Sequence, residues 1–123
     1  MTGYADRAGR DAIEAECAWP ARRVPATLRA ALAGAARAHG SRPAVSFQLL
    51  SAPGSRAETL SWAALESRVI RAANLLRHLG IGEGDTVALV LPNATETVVA
   101  LLAGAVAGVV NPINPLLEPE QIA

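Results

Sequence analysis

Two Asn-Pro steps near the end of the chain, Asn111-Pro112 and Asn114-Pro115, form the polar feature best suited to contact a ligand. Proline lacks a backbone N–H and pushes the preceding residue toward extended backbone. We therefore expect the chain to leave its sheet here and to expose backbone groups and asparagine amides. Open α/β sheets bind ligands at the carboxyl ends of their parallel strands. A rigid exit turn explains the same residues without a ligand, and both interpretations stay open.

Five glycines could also suggest function, but their context favours structural roles. Gly80, Gly82 and Gly84 have G-x-G-x-G spacing and lie after a predicted helix and before a predicted strand. A dinucleotide fingerprint needs G-x-G-x-x-G in the opposite order, between a strand and a helix, so we predict a turn. Gly104 and Gly108 form a G-x-x-x-G pattern, which in a short soluble helix indicates close packing rather than the dimerisation it suggests in a membrane.

The remaining polar candidates give no catalytic or metal-binding constellation. His39 and His78 each lie in the last turn of a predicted helix, where a cation interacts well with the negative end of the helix dipole. Cys17 is alone, which excludes a disulfide framework and a cysteine metal cluster. No serine lies on a strand-to-helix elbow. The sequence thus predicts no catalytic residue and no metal ligand.

The last third of the chain predicts the element that would position the Asn-Pro steps. Thr86–Leu91 is a short apolar run typical of a buried strand. Asn93 is a suitable N-cap, paired with Glu96, for an Ala-rich helix over Thr95–Gly108. An extended segment over Val109–Pro115 follows. Strand, helix and strand with short joints form a βαβ unit, which implies parallel strands.

The preceding segment predicts two amphipathic helices and a hairpin. We expect Thr27 to cap a helix that ends at His39-Gly40, and Ser61 to cap a longer helix that ends at Gly80. Between them, residues 43–50 and 58–60 read as strands, joined by a turn over 51–56. The apolar face of the long helix is predicted to contain Leu65, Val69, Ala72, Leu76 and Leu79.

Composition limits the function classes. Net charge is zero and the pI is about 6.7, which argues against nucleic acid and acidic membranes as partners. All eleven basic residues are arginine, so no lysine-dependent step can occur within this chain. The start has no apolar signal region, and the apolar run Val98–Val110 is shorter than the roughly 20 residues of a membrane span. We therefore expect no transmembrane segment and a cytoplasmic location.

Three segments of the sequence resemble the amino-terminal part of AMP-forming acyl-CoA synthetases, which belong to the adenylate-forming superfamily. They are Gly-Asp-Thr-Val-Ala-Leu-Val-Leu-Pro-Asn (84–93), Ala-Gly-Val-Val-Asn-Pro-Ile-Asn-Pro (107–115) and Glu-Pro-Glu-Gln-Ile (118–122). The resemblance extends back to about Pro25. It implies an α/β fold, the beginning of the large N-terminal domain of that superfamily.

The resemblance also implies a two-step reaction that belongs to fatty acid metabolism. A carboxylate attacks the α-phosphate of ATP in the presence of Mg²⁺ to give acyl-AMP and pyrophosphate, and the thiol of CoA then displaces AMP. The family's catalytic motifs lie further along than Ala123, so we expect this chain alone to be inactive and to bind none of these cofactors. In related synthetases, the segment that matches Asn114, Pro115 and Leu116 lies beside the channel for the CoA thiol, so the resemblance implies that these residues form a wall of it. Many members have small residues, often glycine, at these positions.

The domain organisation predicted from these patterns is a loosely ordered tail over residues 1–24 and a truncated synthetase domain over 25–123. Two other functions stay open: a non-catalytic relic or interaction module, and part of an aryl-acid or peptide-synthetase adenylation enzyme. Unpaired strand edges would also make self-association of such a chain an expected property.

Overall fold

The computed structural model describes residues 6–18, 21–50, 52 and 54–122. They form five helices and four strands, in the order α1 (Arg7–Glu16), α2 (Leu28–His39), β1 (Pro43–Gln48), β2 (Ala57–Ser61), α3 (Trp62–His78), β3 (Thr86–Val90), α4 (Thr95–Ala107), β4 (Val109–Ile113) and α5 (Pro119–Ile122). The α/β class, the hairpin and the βαβ unit predicted from the sequence are all present.

Two of the predicted helix caps are confirmed. Thr27 Oγ1 accepts the Ala30 N–H at 3.1 Å, and Ser61 Oγ accepts the Ala64 N–H at 3.2 Å. At the other end of α3, Gly80 has φ 94° and its N–H donates to the Arg77 carbonyl, while the Ile81 N–H donates to the Leu76 carbonyl. This pair of bonds is a Schellman motif, which requires the left-handed backbone that glycine adopts without strain.

Helix α2 ends at His39 and Gly40 follows it, as predicted. Gly40 has φ −44°, so this helix end does not use the left-handed glycine conformation. The end of α2 is held by the Arg42 N–H, which donates to the His39 carbonyl, and by the bond from the Ala63 N–H to the Gly40 carbonyl. The hydrogen bond to the start of α3 thus stabilises this helix end without a glycine in the left-handed conformation.

The N-cap of α4 was wrongly predicted to be Asn93. The extended residue at the helix start is Ala94, with φ −160° and ψ 168°, and it makes no side-chain cap bond. Because the N-cap lies one residue after Asn93, the predicted pair of Asn93 with Glu96 does not form. The loop is held instead by Thr97 Oγ1, which donates to the Pro92 carbonyl.

Strands β1 and β2 pair antiparallel, with Phe47 opposite Glu58. The hydroxyls of Ser46 and Thr59 lie 3.1 Å apart across the pair. Strand β1 ends at Gln48, two residues earlier than predicted, because the Gln48 side chain donates to the Ala52 carbonyl and turns the chain. Ser51 and Pro53 of the predicted turn lie outside the described residues.

Strands β3 and β4 pair in parallel, and α4 connects them. Strand β3 ends one residue before the predicted Leu91, and β4 two residues before the predicted Pro115. Helix α4 lies so close to the sheet that a Cβ on Gly104 would be 3.1 Å from Val110 Cγ2. The packing role predicted for the G-x-x-x-G pattern is therefore confirmed.

The core lies between α2, α3 and α4, and it is built from small and medium aliphatic side chains: Leu32, Leu60, Leu65, Val69, Ala73, Ala103 and Ala107. The predicted face of α3 is only partly correct. Ala72 is half-buried against the core as predicted, but the neighbouring Ala73 is fully buried, and Leu79 is 68% exposed because it lies beyond the last helical turn. Arg77 Nη2 donates to the Val106 carbonyl at 2.8 Å and joins the ends of α3 and α4.

Helix α1 lies within the segment 1–24 that was predicted to be a loosely ordered tail. The helix begins at Arg7, and the Asp6 side chain before it accepts the Gly9 N–H at 2.7 Å. None of its residues is buried. Trp19 lies outside the described residues. Among the described helices, none is long and apolar enough to span a membrane.

Candidate functional site

The candidate site is a cleft at the carboxyl ends of β3 and β4. Val90 and Ile113, the last residues of the two strands, lie opposite each other in the parallel pair. The loops that follow therefore leave the sheet side by side and enclose a cleft of about 280 Å³. Its lining consists of Leu91, Pro92 and Asn93 from one loop and Asn114, Pro115 and Leu116 from the other.

Asn114 is held by an Asx turn at the edge of this cleft. Its Oδ1 accepts the Leu116 N–H at 3.0 Å, and its carbonyl accepts the Leu117 N–H at 3.2 Å. The side-chain oxygen is thus used within the loop, and the amide NH₂ is the group left to donate outward. Leu116 is 87% exposed, so the cleft has an apolar rim beside this amide.

The two Asn-Pro steps have different positions. Asn114-Pro115 follows β4 and lines the cleft, as predicted. Asn111-Pro112 lies inside β4, opposite Ala88 and Leu89 of β3, so the prediction that the chain leaves its sheet there was wrong. Among the described strands β4 is an edge strand, and an edge tolerates proline because a missing N–H on the free side breaks no ladder bond.

Sequence reasoning assigned Asn93 only to a helix cap and gave Pro92 no part in a site. The structure adds both residues to the cleft. The predicted parallel pairing of the two strands could have indicated both residues, because the loops after two adjacent parallel strands leave the same edge of a sheet.

The other glycine, histidine and cysteine candidates lie outside the cleft. Gly82 and Asp85 form a turn, in which the Asp85 side chain accepts the Gly82 N–H at 2.8 Å. His39 and His78 occupy the last turns of α2 and α3, as predicted. Cys17 is exposed near the end of α1.

The cleft lining has no acid, base or nucleophile. Its polar groups are the Asn93 and Asn114 amides, and the rest is proline and leucine. Within residues 6–18, 21–50, 52 and 54–122, no three His, Cys, Asp or Glu side chains are grouped so that they could hold a metal ion. The arrangement can therefore contact a neutral or amide-bearing chain but cannot itself transfer a proton or activate a nucleophile.

The family of this chain follows from a direct comparison of sequences. A sequence model described as AMP-binding enzyme matches residues 32–123, which include α3, the βαβ unit and the whole cleft. The chain belongs to the AMP-binding enzyme family. The resemblance to adenylate-forming enzymes inferred from residues 84–93, 107–115 and 118–122 is thereby confirmed.

Relatives with curated names include ligases of different acids. The chain is 43% identical over 65 residues to an acetyl-coenzyme A synthetase of Streptomyces avermitilis, covering 53% of this chain and 10% of the relative. It is 41% identical over 71 residues to 4-coumarate--CoA ligase 5 of Oryza sativa subsp. japonica, covering 57% of this chain and 13% of the relative. The chain thus spans about a tenth of the length of these relatives.

Solved structures support the fold of the family. A fatty acyl CoA synthetase of Mycobacterium tuberculosis superposes with a TM-score of 0.64 at 26% identity, over 78% of this chain and 18% of that one. The N-terminal domain of FACL13 from the same organism superposes with a TM-score of 0.63 at 24% identity, over 78% of this chain and 23% of that domain. The described fold is therefore part of the N-terminal domain of adenylate-forming enzymes.

Proposed function

We propose that this chain supplies part of the N-terminal domain of an ATP-dependent acyl-CoA synthetase. In that reaction a carboxylate displaces pyrophosphate from ATP, and the CoA thiol then displaces AMP from the acyl-AMP. The names of the relatives support an acid–thiol ligase. The observation that carries the proposal is the family match over residues 32–123, which includes the βαβ unit and its cleft.

We further propose that Asn114, Pro115 and Leu116 form a wall of the channel through which the CoA thiol arrives. A cleft with apolar walls and two exposed amides suits the pantetheine arm of CoA, because that arm is a flexible chain that carries amide groups of its own. Asn93 on the facing loop would share this contact. In this role the chain orients a ligand and supplies no reacting group.

These residues are less suited to bind ATP and Mg²⁺ than to contact CoA. Activation of a carboxylate needs positive charge or a metal ion near the phosphates. The chain has no lysine, the cleft has no charged side chain, and the described residues contain no group of metal ligands. We propose that the nucleotide is held by parts of the enzyme other than these residues, and that this chain alone is catalytically inactive.

The acid substrate is left open by this proposal. Acetate and 4-coumarate ligases match the chain with similar identity, so an aryl-acid enzyme is as well supported as one for an aliphatic acid. We infer that residues 32–123 carry the shared scaffold rather than the acid pocket.

Calorimetric titration of the purified chain with ATP·Mg²⁺ tests the proposal that this chain has no nucleotide site. We expect no saturation up to millimolar nucleotide, which corresponds to a binding free energy weaker than about −4 kcal/mol. AMP and CoA are titrated in parallel, so that the proposal on the nucleotide site and the proposal on the CoA channel are tested separately. Saturable binding of ATP near 1 μM, about −8 kcal/mol, would contradict the assignment of the nucleotide to other parts of the enzyme.

A chimaera tests the synthetase proposal itself. We would join this chain to the remaining domains of an acetyl-coenzyme A synthetase and measure carboxylate-dependent pyrophosphate release, then CoA-dependent AMP release. The expected result is that both half-reactions appear. A folded chimaera that lacks both would favour the alternative of a non-catalytic interaction module.

A further inference from the structure

The two loops that enclose the cleft are held in different ways. The loop after β4 is held by its own Asx turn, in which Asn114 Oδ1 accepts the Leu116 N–H. Among the described residues, the only side-chain hydrogen bond that reaches residues 91–94 comes from Thr97, whose hydroxyl donates to the Pro92 carbonyl. The shape of this second loop therefore depends on a residue of α4 that is not part of the cleft lining.

Thr97 lies where it can fix the direction of the loop after β3. It is the third residue of α4, a helix that packs in the core through Ala103 and Ala107. Its β-branched side chain has few rotamers, which keeps the hydroxyl in place. The Pro92 carbonyl belongs to the same planar peptide unit as the Asn93 N–H and Cα. A hydrogen bond that fixes this carbonyl therefore also fixes the direction in which Asn93 follows.

Asn93 needs such a constraint because it has space on two sides. It lines the cleft, and it also lines a second cavity of about 300 Å³ between β1 and the start of α4, together with Ser46 and Phe47. The residue is exposed, it does not cap α4, and its side chain makes no hydrogen bond within the described part of the chain. Without the bond from Thr97, the loop can carry Asn93 out of the cleft and toward the second cavity.

The side chains of Asn93 and Asn114 offer complementary groups to a ligand. Asn114 Oδ1 is used in its Asx turn, so this side chain presents its NH₂ donors, whereas the Asn93 oxygen is available as an acceptor. A secondary amide needs one donor and one acceptor, and the pantetheine arm of CoA carries such amides. We propose that Thr97 is a positioning residue for CoA, which holds Asn93 where Asn93 and Asn114 together bind one amide of that arm. This inference rests on the synthetase function proposed above.

The test uses the chimaera of this chain with the remaining domains of an acetyl-coenzyme A synthetase. Thr97→Val keeps the shape of the side chain and removes the hydroxyl. We expect the KM for CoA to rise about five- to ten-fold, the range that the loss of one hydrogen bond produces. The kcat of thioester formation and the rate of pyrophosphate release should change little, because the variant weakens CoA binding and touches no reacting atom.

The acceptor substrate and a conservative variant locate the effect. With pantetheine in place of CoA, we expect the same rise in KM, because the contact lies on the arm and not on the nucleotide part. Thr97→Ser, which keeps a hydroxyl, should recover most of the KM. Thr97→Ala is a second variant without the hydroxyl, and thermal unfolding verifies that each chimaera is folded at the assay temperature.

Thr95→Val is the matched control for the change of a threonine to valine. Thr95 lies in the same turn of α4, and its hydroxyl is fully buried without a hydrogen-bond partner among the described residues. It lines neither the cleft nor the second cavity. The KM for CoA should therefore stay unchanged in this variant.

A double variant separates positioning from a general structural effect. If Thr97 acts through Asn93, then Thr97→Val adds nothing once Asn93→Ala has removed the amide. The KM of the double variant should therefore equal that of Asn93→Ala alone, whereas independent effects would multiply.

Several results from an active chimaera would overturn this inference alone. These are an unchanged KM in Thr97→Val, an equal rise in Thr95→Val, no recovery in Thr97→Ser, effects of Thr97→Val and Asn93→Ala that multiply, or an equal fall in pyrophosphate release. A folded chimaera without either half-reaction would overturn the synthetase proposal, and this inference with it. The two failures are thus distinguished by the activity of the chimaera that carries the unchanged chain.

Discussion

At the scale of single residues, the two polar groups of the Asn114 side chain, its oxygen and its NH₂, have different roles in the cleft. Asn114 Oδ1 is bound to the Leu116 N–H, so the residue shapes its own loop, and the NH₂ group is left to face a ligand. An effect of substitution therefore has to be separated into loop shape and ligand contact. Substitutions of different size make that separation.

Asn114→Leu should slow the thioester-forming half-reaction of the chimaera about ten-fold or more, and Asn114→Ala should slow it less. The larger side chain obstructs the approach of CoA, and small displacements of a reacting group cost large factors in rate. Pyrophosphate release should change little with either variant. Asn111→Ala, which lies inside β4 and outside the cleft, is the matched control. An equal fall of both half-reactions would mean that Asn114 is only structural.

Gly108→Ala should destabilise the chain by about 1–3 kcal/mol, because overpacking of a close contact forces the backbone apart. A Cβ on Gly108 would lie 2.5 Å from the Gly82 carbonyl oxygen and 2.6 Å from that of Asp85. Gly84→Ala is the control, since a Cβ there meets nothing within 4 Å. Urea unfolding followed by circular dichroism measures both. Equal stability of the two variants would contradict the close approach.

At the scale of elements, the helix of the βαβ unit lacks the usual side-chain cap at its start. Helix α4 is capped by Ala94, which has no side chain able to accept an N–H, although its first turn contains Glu96. Its other end is held by Arg77 of α3, which donates to the Val106 carbonyl. Packing against α3 and the sheet therefore contributes more to α4 than local signals do.

Ala94→Ser should stabilise the chain by about 0.5–2 kcal/mol, since the backbone of Ala94 is already extended and a hydroxyl there can accept an N–H of the first turn. Asn93→Ala should change the free energy of unfolding little, because Asn93 is not the cap. Thermal unfolding of both variants checks this. The reverse ranking, with Asn93→Ala the costly change, would restore Asn93 as the cap.

At the scale of the whole molecule, burial is concentrated where α3 and α4 meet. Val69, Ala73 and Ala103 are completely buried, whereas α1 has no buried residue. The parallel pair β3–β4 is covered by α4 on one face, and parallel sheets are normally covered on both. The stability of this chain should therefore be uneven along its length.

Amide hydrogen exchange should be slowest in α3 and α4 around these buried residues, and fastest in α1. Exchange from buried helices requires the core to open, whereas an exposed helix opens locally. Mass spectrometry of peptides that cover α1, α3 and α4 would measure the difference, with β3–β4 expected in between. Equal protection of α1 and α3 would show contacts of α1 that its exposure does not indicate.

The sequence by itself determined the elements, because their signals are local. Thr27, Ser61 and Gly80 mark helix ends through bonds to residues within a turn or so of themselves, and each lies where it was predicted. The alternation and apolar runs of β1 and β3 likewise need no distant partner to be recognised. The family resemblance also follows from short contiguous segments, and the match over residues 32–123 confirmed it.

Only the tertiary structure decided which residues share a surface. Ala72 and Ala73 are adjacent on α3, and the exact position of α4 decides which one is buried. Asn111 and Asn114 precede identical prolines, yet the register of β4 against β3 keeps the first in the strand and places the second in the cleft beside Asn93. Spacing along the chain cannot supply this, because β3 and β4 pair residues that are 23 positions apart in sequence, Thr86 with Val109 for example.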